Sequence, residues 1–486
     1  MRKSYERQFH FKATPIAALQ LNLQCRDEII PVLAALQHIY LDGDLRRKVT
    51  GFVAADVSDD TRRDTGRPGF DDWQVLVLGT LRMTCDLDYD KLQDLAENHA
   101  SIRTLLGVEG WDQDVSFDFR RIRNAICNLK PDTLGRINDL IVGHGQDVHG
   151  NAAQRVRGDS FVIETNIHHP TESSLMYDGI RKIVPIATEL ATDAGLDGWR
   201  QSKHLLGKIK NLHRHINQLS ASRVVKKKDA MESLYCTLIE RVDLFLDRVK
   251  VLEEQLQEGC SVSERLRLEQ LVHWAKLTKQ VRDTAYHRVV LGERVANSDK
   301  LFSLFETHTQ LYQRGKAGEP IQYGRLALIF EDGAGFISHY HLMDRDASDM
   351  SVAVEQTKIV QAKHRGQLND LSLDRGFHTA ENIEALRELT ENVSCPSRNS
   401  KQYADEVATE SIDSRQRRHR HSGVESAIGC LQRGNGLKRC RDRSEIGMQR
   451  YLGLAVLGRN LQVLGKLLIA DESPQSLSAI SHRQAA

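Results

Sequence analysis

The sequence lacks the features that mark secreted and membrane proteins. None of its eight cysteines forms a CxxC pair, which disfavours a disulfide framework and a structural zinc site and fits a reducing compartment. No apolar run reaches the roughly 18 residues of a transmembrane helix. The charged N-terminus lacks the apolar core of a signal peptide. These absences predict a cytoplasmic protein with no membrane partner.

Other absences narrow the architecture. No internal repeat is evident, and the 486 residues are too many for one compact core, so two or three domains are expected. The composition, 40% hydrophobic and 27% charged, is that of an ordinary folded protein rather than a disordered one. The net charge is only +1, so any attraction to nucleic acid must come from local blocks of positive charge.

Residues 1–150 are predicted to be a helical N-terminal domain. Apolar residues recur at helical spacing over 70–98, and a second helical stretch covers 117–130. The second stretch carries Arg120, Arg121 and Arg123. Several short helices ending in a basic one are typical of a DNA-binding domain of the helix-turn-helix type. A solvated helix face is the alternative interpretation.

The pattern changes after residue 150. The segment 157–165 is rich in β-branched and aromatic residues and predicts a strand. The next predicted elements are a long helical stretch over 183–316, strands at 321–332 and 335–344, a helix at 348–364, a strand at 368–377, a helix at 379–389, a short strand at 392–397, and helices to about 470. This order predicts a mixed α/β sheet with flanking helices, encoded by 151–182 and 317–470 and interrupted by an all-α insertion, 183–316. Residues 471–486 are predicted to be a disordered tail.

Three carboxylates fall where a sheet and one helix can converge. Asp159 lies early in the first strand, Asp374 ends a later strand, and Glu425 lies in a helix near the C-terminus. Three acidic groups at one point repel one another unless cations neutralise them, and hard oxygen ligands suit Mg²⁺ or Mn²⁺. Two such ions, about 3.5–4 Å apart, can stabilise the attacking and the leaving oxygen of a phosphodiester displacement.

Other acids compete for this role, because the chain has 66 of them. The nearest rivals are Glu164, Asp178, Glu331 and Asp332. Glu164 is five residues from Asp159, so a regular strand would point it to the opposite face. His168 and His169 have no cysteine or third histidine at ligand spacing, and we expect them to have a loop role rather than to bind zinc.

Three ordered motifs resemble insertion-sequence DDE transposases, in particular the ISNCY-like group. The segment RGDSFVIETNIHHPTESSLMYDGIRKIV (157–184) resembles their first catalytic segment, in which an Asp matching Asp159 precedes a TNIHYPTDSSLL-like run. LSLDRGFHTAENIEAL is similar to the second motif and HSGVESAIGCLQRGNGLKRCRDRSEIGMQRYLGLAVLGRNLQVLG to the third, which assigns Asp374 and Glu425. Residues 45–130 also resemble the N-terminal domain of this superfamily. The resemblance implies a ribonuclease-H-like catalytic domain interrupted by the helical insertion.

One departure from the family concerns the surroundings of Glu425. Some related transposases carry Tyr, Arg and Lys at fixed offsets around their catalytic Glu. The equivalent positions here are Arg418, His421 and Gln432, with Arg433 beside the expected Lys. The DNA-end contacts of those relatives are therefore not carried over, whereas the three carboxylates are.

Two basic blocks are candidates for contact with the DNA backbone through counterion release. The first is the acid-free stretch 199–228, from which the predicted contacts are Lys203, Lys208, Lys210, Arg214, Lys226, Lys227 and Lys228. The second surrounds Glu425, with predicted contacts Arg418, Arg420, Arg433, Lys438 and Arg439. A solvated basic helix is the alternative for both blocks.

The resemblance implies a transposase that binds the inverted repeats at the ends of its element. It would use two Mg²⁺ or Mn²⁺ ions to hydrolyse a phosphodiester and then join the exposed 3′-OH to target DNA. The implied partners are double-stranded DNA and further copies of the chain, as a homodimer or higher oligomer. Two alternatives stay open: a ribonuclease-H-like nuclease without strand transfer, and a catalytically silent DNA-binding descendant of a transposase.

Overall fold

The computed structural model describes residues 15–57, 69–108, 116–148, 150–222, 227–256, 261–313, 320–409 and 411–471. The tail predicted to be disordered therefore lies outside the described residues, apart from Asp471, which ends a helix. The chain divides into two compact units, residues 1–164 with 325–486 and residues 165–324.

The first unit begins with short helices, as predicted. They are α1 (Ile29–Leu41), α2 (Gly43–Val57), α3 (Asp72–Thr84), α4 (Tyr89–Asn98), α5 (Ala100–Leu105), α6 (Phe119–Cys127) and α7 (Pro131–Val148). The helical stretch expected over 70–98 forms two helices rather than one. Asp86 adopts a positive φ of 47° after α3, and the Asp88 side chain then caps α4 by accepting from the Lys91 N–H.

A seven-stranded mixed sheet follows. Its strands are β1 (Arg155–Thr165), β2 (Gln310–Tyr312), β3 (Gln322–Asp332), β4 (Ile337–Leu342), β5 (Asp370–Leu373), β6 (Asn392–Ser394) and β7 (Arg439–Cys440). The order is β2-β3-β1-β5-β6, with β4 also paired to β3 and β7 to β1. β5 runs parallel to β1 and β6 to β5, whereas β4 is antiparallel to β3. The predicted strands are confirmed, and so is the mixed α/β sheet with flanking helices.

Two short strands were not predicted from the sequence. β2 lies in a range expected to be helical throughout, and it pairs antiparallel with the first residues of β3 inside the second unit. β7 has only two residues and continues the pairing of β1, where the Glu164 N–H donates to the Lys438 carbonyl. Strands this short carry too few residues for an alternating pattern to register.

Helices cover the sheet of the first unit. They are α12 (Asp349–Lys363), α13 (Ala380–Leu389), α14 (Ser400–Ala408), α15 (Ile412–His421), α16 (Gly423–Arg433) and α17 (Glu445–Asp471). α17 packs against α1, α3, α7 and β4, and Gly465 allows it to approach the Pro31 backbone closely. Among the described helices α17 alone is long and apolar enough to cross a membrane. In its most apolar stretch, 72% of the helix is buried inside the protein, as is typical of a core helix.

The second unit is mainly a bundle of long helices with its own core. They are α8 (Glu172–Asp193), α9 (Ser202–Ala221), α10 (Lys228–Leu256) and α11 (Val262–Ala285), and a π-helical turn, Tyr286–Val290, extends α11. α8 contacts α9, α10 and α11, and the core between them includes Ile180, Val242 and Phe245. Residues 183–316, expected to be helical throughout, are mainly helical, and β2 is the exception to that expectation.

Candidate active site

Asp159 and Asp374 extend from neighbouring positions of two adjacent parallel strands. The pairing of β1 with β5 runs up to Gly158 opposite Leu373; Asp159 is the next residue of β1, and Asp374 is the first residue after β5. Neighbouring strands lie about 4.8 Å apart, and residues at one level of a parallel pair point to the same face. The two carboxylates therefore come from one edge of one sheet face, although the aspartates are far apart in sequence.

Local hydrogen bonds orient both carboxylates. Asp159 Oδ1 accepts the Ser160 N–H at 2.7 Å, and Asp374 Oδ1 accepts the Arg375 N–H at 2.7 Å. The Asp374 carbonyl also accepts from Cys395 Sγ at 3.4 Å. Burial, and then the charges of Asp374 and Glu406, raise the pKa of the Cys395 thiol to about 12. The thiol beside Asp374 thus stays protonated at neutral pH.

Arg157 holds the α15–α16 junction over this sheet face. It lies two residues before Asp159, so both side chains project from the same side of β1. Its Nε donates to Glu331 Oε2 at 2.6 Å, and its Nη1 donates to the Arg420 carbonyl at 2.8 Å. A Cβ on Gly423 would lie 2.0 Å from the same guanidinium, so only glycine allows this approach. Glu425, exposed in the first turn of α16, is therefore carried on a segment anchored to β1.

His421 lies close to two of the three acids. Its burial lowers the pKa of its imidazole; Asp374 raises it, Arg157 lowers it and Glu425 raises it again. Its Nδ1 is buried and has no hydrogen-bond partner among the described residues. The charges of Asp374 and Glu425 thus both act on one half-buried, mainly neutral imidazole. His421 therefore lies near both the end of β5 and the start of α16.

The four rival acids have structural partners. Glu164 pairs with Arg439 at 3.1 Å, Asp178 pairs with Arg181 at 2.8 Å, and Glu331 pairs with Arg157. Asp332 closes the β3–β4 turn by accepting the backbone N–H groups of Ala334 and Phe336. In the part of the chain that the structure describes, neither Asp374 nor Glu425 forms an ion pair. Three of the four rivals are therefore neutralised by an ion pair, whereas Asp374 and Glu425 are not paired with a cation among the described residues.

The donor chemistry at this edge suits a hard divalent cation, although the ligands are not fully assembled. Within the described ranges no group of three or more His, Cys, Asp or Glu side chains converges closely enough to hold a metal ion. Two aspartates at one level of adjacent strands nevertheless supply carboxylate oxygens, which Mg²⁺ and Mn²⁺ prefer. Glu425 lies at the surface, so packing does not fix its side chain. The residues fit such an ion in kind, although the structure does not bring all three carboxylates together.

The three arginines predicted on the N-terminal side belong to α6. Arg120 and Arg123 are exposed, whereas Arg121 is half-buried with its guanidinium 5.3 Å from the centre of the Phe70 ring. The Asp118 side chain caps the helix through the N–H groups of Arg120 and Arg121. Two cations of this group are thus presented to solvent, and Arg121 also covers an aromatic ring.

The first basic block lies mostly on α9. Lys203, Lys208, Lys210 and Arg214 are exposed, and the opposite side of the helix buries Ile209 and Ile216. Lys227 instead donates from Nζ to the carbonyls of Ser220 and Ser222 and so closes the end of α9. Lys228 is exposed at the start of α10, and Lys226 lies outside the described residues. Four exposed cations on one acid-free helix form the basic surface of this unit.

The second basic block surrounds α15 and α16. Arg420, Arg433, Lys438 and Arg439 are exposed, and Arg418 is half-buried. Arg439 pairs with Glu164, and Arg433 Nε donates to the Gly429 carbonyl at 3.3 Å. Arg420 and Arg433 therefore lie on α15 and α16, whereas Lys438 and Arg439 follow α16 at β7 in the same unit.

A polar layer beneath α15 was not predicted from sequence. Alternate residues of β1 and β5 face one another in register as Arg155 opposite Asp370 and Arg157 opposite Ser372, below the level of Asp159 and Asp374. Together with α15 they line a cavity of about 250 Å³. The alternation of Arg155, Arg157 and Asp159 was the one available indication, because a strand places all three on one face.

Compared with models of known protein families, with curated proteins and with solved structures, the chain matches none.

Proposed function

We propose that the chain is a DDE transposase that cleaves and rejoins DNA, with Asp159, Asp374 and Glu425 as its catalytic carboxylates. The observation that carries the proposal is that Asp159 and Asp374 each directly follow the last paired residue, Gly158 and Leu373, of two adjacent parallel strands. Each belongs to a motif that resembles the corresponding catalytic segment of insertion-sequence transposases, and the motifs occur in the family's order. Two residues selected by resemblance alone would not generally fall side by side.

The sheet topology also supports a ribonuclease-H-like catalytic domain. The central strand, β1, has an antiparallel β3–β4 pair on one side and the parallel strands β5 and β6 on the other. The long helices α8 to α11 are inserted between β1 and β3 in the chain. A mixed sheet with flanking helices and a helical insertion is the architecture that the resemblance implies.

The residues of the chain would have three roles: metal binding, positioning of Glu425 and contact with DNA. Asp159 and Asp374 would hold two Mg²⁺ or Mn²⁺ ions jointly with Glu425. Such ions, when bound, activate the attacking oxygen and neutralise charge on the leaving oxygen of a phosphodiester. Arg157 would position Glu425 by fixing the α15–α16 junction. The exposed arginines and lysines of α6, α9 and α15–α16 would contact DNA phosphates, which orient the duplex without reading its sequence.

The direct test is cleavage of DNA carrying the ends of the element, with Mg²⁺, by the full chain. Asp159→Asn, Asp374→Asn and Glu425→Gln should each abolish cleavage and strand transfer, because each substitution removes an anionic ligand while preserving side-chain shape. Glu388→Gln is the matched control, since Glu388 is an exposed acid on α13 away from the carboxylates. Full activity of the three variants would refute the assignment.

The same assay separates the two alternatives. A ribonuclease-H-like nuclease would release cleaved ends but give no strand-transfer product with target DNA. A catalytically silent DNA-binding descendant would bind the same DNA, and neither the wild-type chain nor Glu388→Gln would cleave it.

A further inference from the structure

A second cavity, of about 270 Å³, lies within the second unit. It is enclosed by the loop before α8, the end of α11, β2 and the start of β3. Its wall includes the side chains of His169, Glu172, Arg288, Lys300, Phe302 and Tyr323. All belong to residues 165–324, so the cavity is independent of the carboxylates in the first unit.

Positive charge is in excess around this cavity. The pKa of Lys300 is lowered by burial and then by the neighbouring charges of Arg288 and Arg294. Glu172 is the one carboxylate among the described residues of the cavity wall, and it is ion-paired with Arg288. The charges of Arg288 and Lys300 in the wall and of Arg294 nearby thus exceed that of Glu172, and a bound anion would relieve their mutual repulsion. The charge distribution therefore favours an anionic ligand.

The backbone at Arg288 is also unusual. Arg288 lies in the π-helical turn Tyr286–Val290. π-helical turns are rare and often occur at functional sites, because they change the direction in which one side chain projects from a helix. Here the turn follows α11 directly and directs Arg288 to the cavity and to Glu172.

Aromatic rings form the rest of the wall. The Tyr323 ring contacts Phe302, with 5.5 Å between ring centres, and contacts the edge of His169 at 5.7 Å. Burial raises the pKa of Tyr323, and the charge of Arg288, which lines the same cavity, lowers it. Its hydroxyl hydrogen-bonds to no protein group in the described part of the chain. An aromatic face beside two cations is the combination that binds a base and its phosphate.

We propose that this cavity binds one nucleotide, with its phosphate on Arg288 and Lys300 and its base against Tyr323. The volume is near the lower limit for small-molecule sites and suits a single nucleotide rather than a larger ligand. The nucleotide is either free or part of a single nucleic-acid strand, because both present the same chemistry. This inference goes beyond the proposed function, since it requires neither the carboxylates nor cleavage. It also gives a role to the His169–Thr171 loop, which the catalytic assignment does not use.

Calorimetric titration of the full chain tests the proposal. The ligands are thymidine 5′-monophosphate, thymidine, inorganic phosphate and a short single-stranded oligothymidylate, at one ionic strength and without divalent cations. The monophosphate should bind at least tenfold more tightly than thymidine or phosphate, because each of these has only half of the recognised groups. Tighter binding of the oligothymidylate identifies a strand as the source, and binding of the monophosphate alone identifies a free nucleotide.

Two variants tie the binding to this cavity. Lys300→Gln should weaken monophosphate binding about tenfold through loss of one charge-assisted contact. Tyr323→Leu should weaken it by a similar factor through loss of stacking, and Tyr323→Phe should bind nearly as well as wild type and shows that the position tolerates change. Lys250→Gln, at an exposed lysine of α10, is the control and should leave binding unchanged. The proposal is overturned if the monophosphate does not bind, if phosphate binds equally well, or if Lys300→Gln and Tyr323→Leu bind like the control.

Discussion

The guanidinium of Arg157 occupies the space that a side chain on Gly423 would need. A Cβ on Gly423 would lie 2.0 Å from Arg157 Nη1, while the same guanidinium is held by Glu331 and by the Arg420 carbonyl. A free arginine tip would swing away from an added methyl group, but this one is fixed on both sides. Arg157, which projects from the same face of β1 as Asp159, thus determines where α16, the helix that carries Glu425, begins.

Gly423→Ala should therefore disturb the site more than an ordinary Gly→Ala change in a helix. We expect a loss of about 1–3 kcal/mol in the free energy of unfolding, typical of overpacking, instead of the small gain that alanine usually gives in a helix. Cleavage activity should fall further than stability, because Glu425 is displaced. Denaturant unfolding and the cleavage assay measure the two effects.

A double-mutant cycle isolates the contact. With Arg157→Ala in place, the added methyl group of Gly423→Ala has room, so the two losses of stability should not add. Strictly additive losses would mean that the Arg157–Gly423 contact does not govern the junction.

The sequence was informative where a signal is local. The β-branched run of 157–165 predicted β1, and strand alternation predicted that Glu164 and Asp159 face opposite sides of it. The partners of Arg157 were not visible, because Glu331 and Arg420 lie 174 and 263 residues away. The position of Asp159 near Asp374 likewise could not be predicted, because it depends on the register between β1 and β5, two strands far apart in the sequence. The break between α3 and α4 was missed because the apolar spacing continues through Asp86 while the backbone does not.

Asp442 is predicted to be a main electrostatic support of the first unit. Its two oxygens accept from Arg82 at 2.9 Å and Arg450 at 3.3 Å, and the three side chains are at least 90% buried. Asp442→Asn should lower the free energy of unfolding by about 3–5 kcal/mol, because two buried guanidinium groups lose their counter-charge. Denaturant unfolding measures this loss.

Asp86→Asn is the matched control for that experiment. Asp86 pairs with Arg441, but both side chains are partly exposed, and asparagine tolerates the positive φ of this position. The loss there should stay below about 1 kcal/mol. Equal losses for the two variants would show that burial of the Asp442 network is not what makes it important.

Asp332 should make stability fall as pH rises. Burial raises the pKa of its carboxyl to about 6, with Gln146 and the N–H groups of Phe336 and Ala334 opposing that shift. A folded-state pKa above the unfolded value means that the folded state binds more protons between about pH 4 and 6. The penalty for charging Asp332 therefore grows through this window, to an order of magnitude of 3 kcal/mol at neutral pH.

Asp332→Asn removes that titration. Relative to wild type, the variant should gain stability progressively as pH rises from about 4 to 7 and then level off. Unfolding curves measured across this range give the difference directly. A difference that is constant with pH would mean that Asp332 titrates normally in the folded protein.

The acid-free face of α9 should contribute to DNA affinity through phosphate contacts. Lys203→Glu, Lys210→Glu and Arg214→Glu change exposed residues, so folding should be preserved. Each lost contact should reduce the slope of log affinity against log salt by about 0.9, because fewer counterions are released on binding. The measurement is duplex affinity at several salt concentrations. The control is Lys250→Glu on α10, which measures the effect of the same charge change elsewhere in the second unit. If the α9 variants keep the wild-type slope, α9 is a solvated helix face without a role in binding.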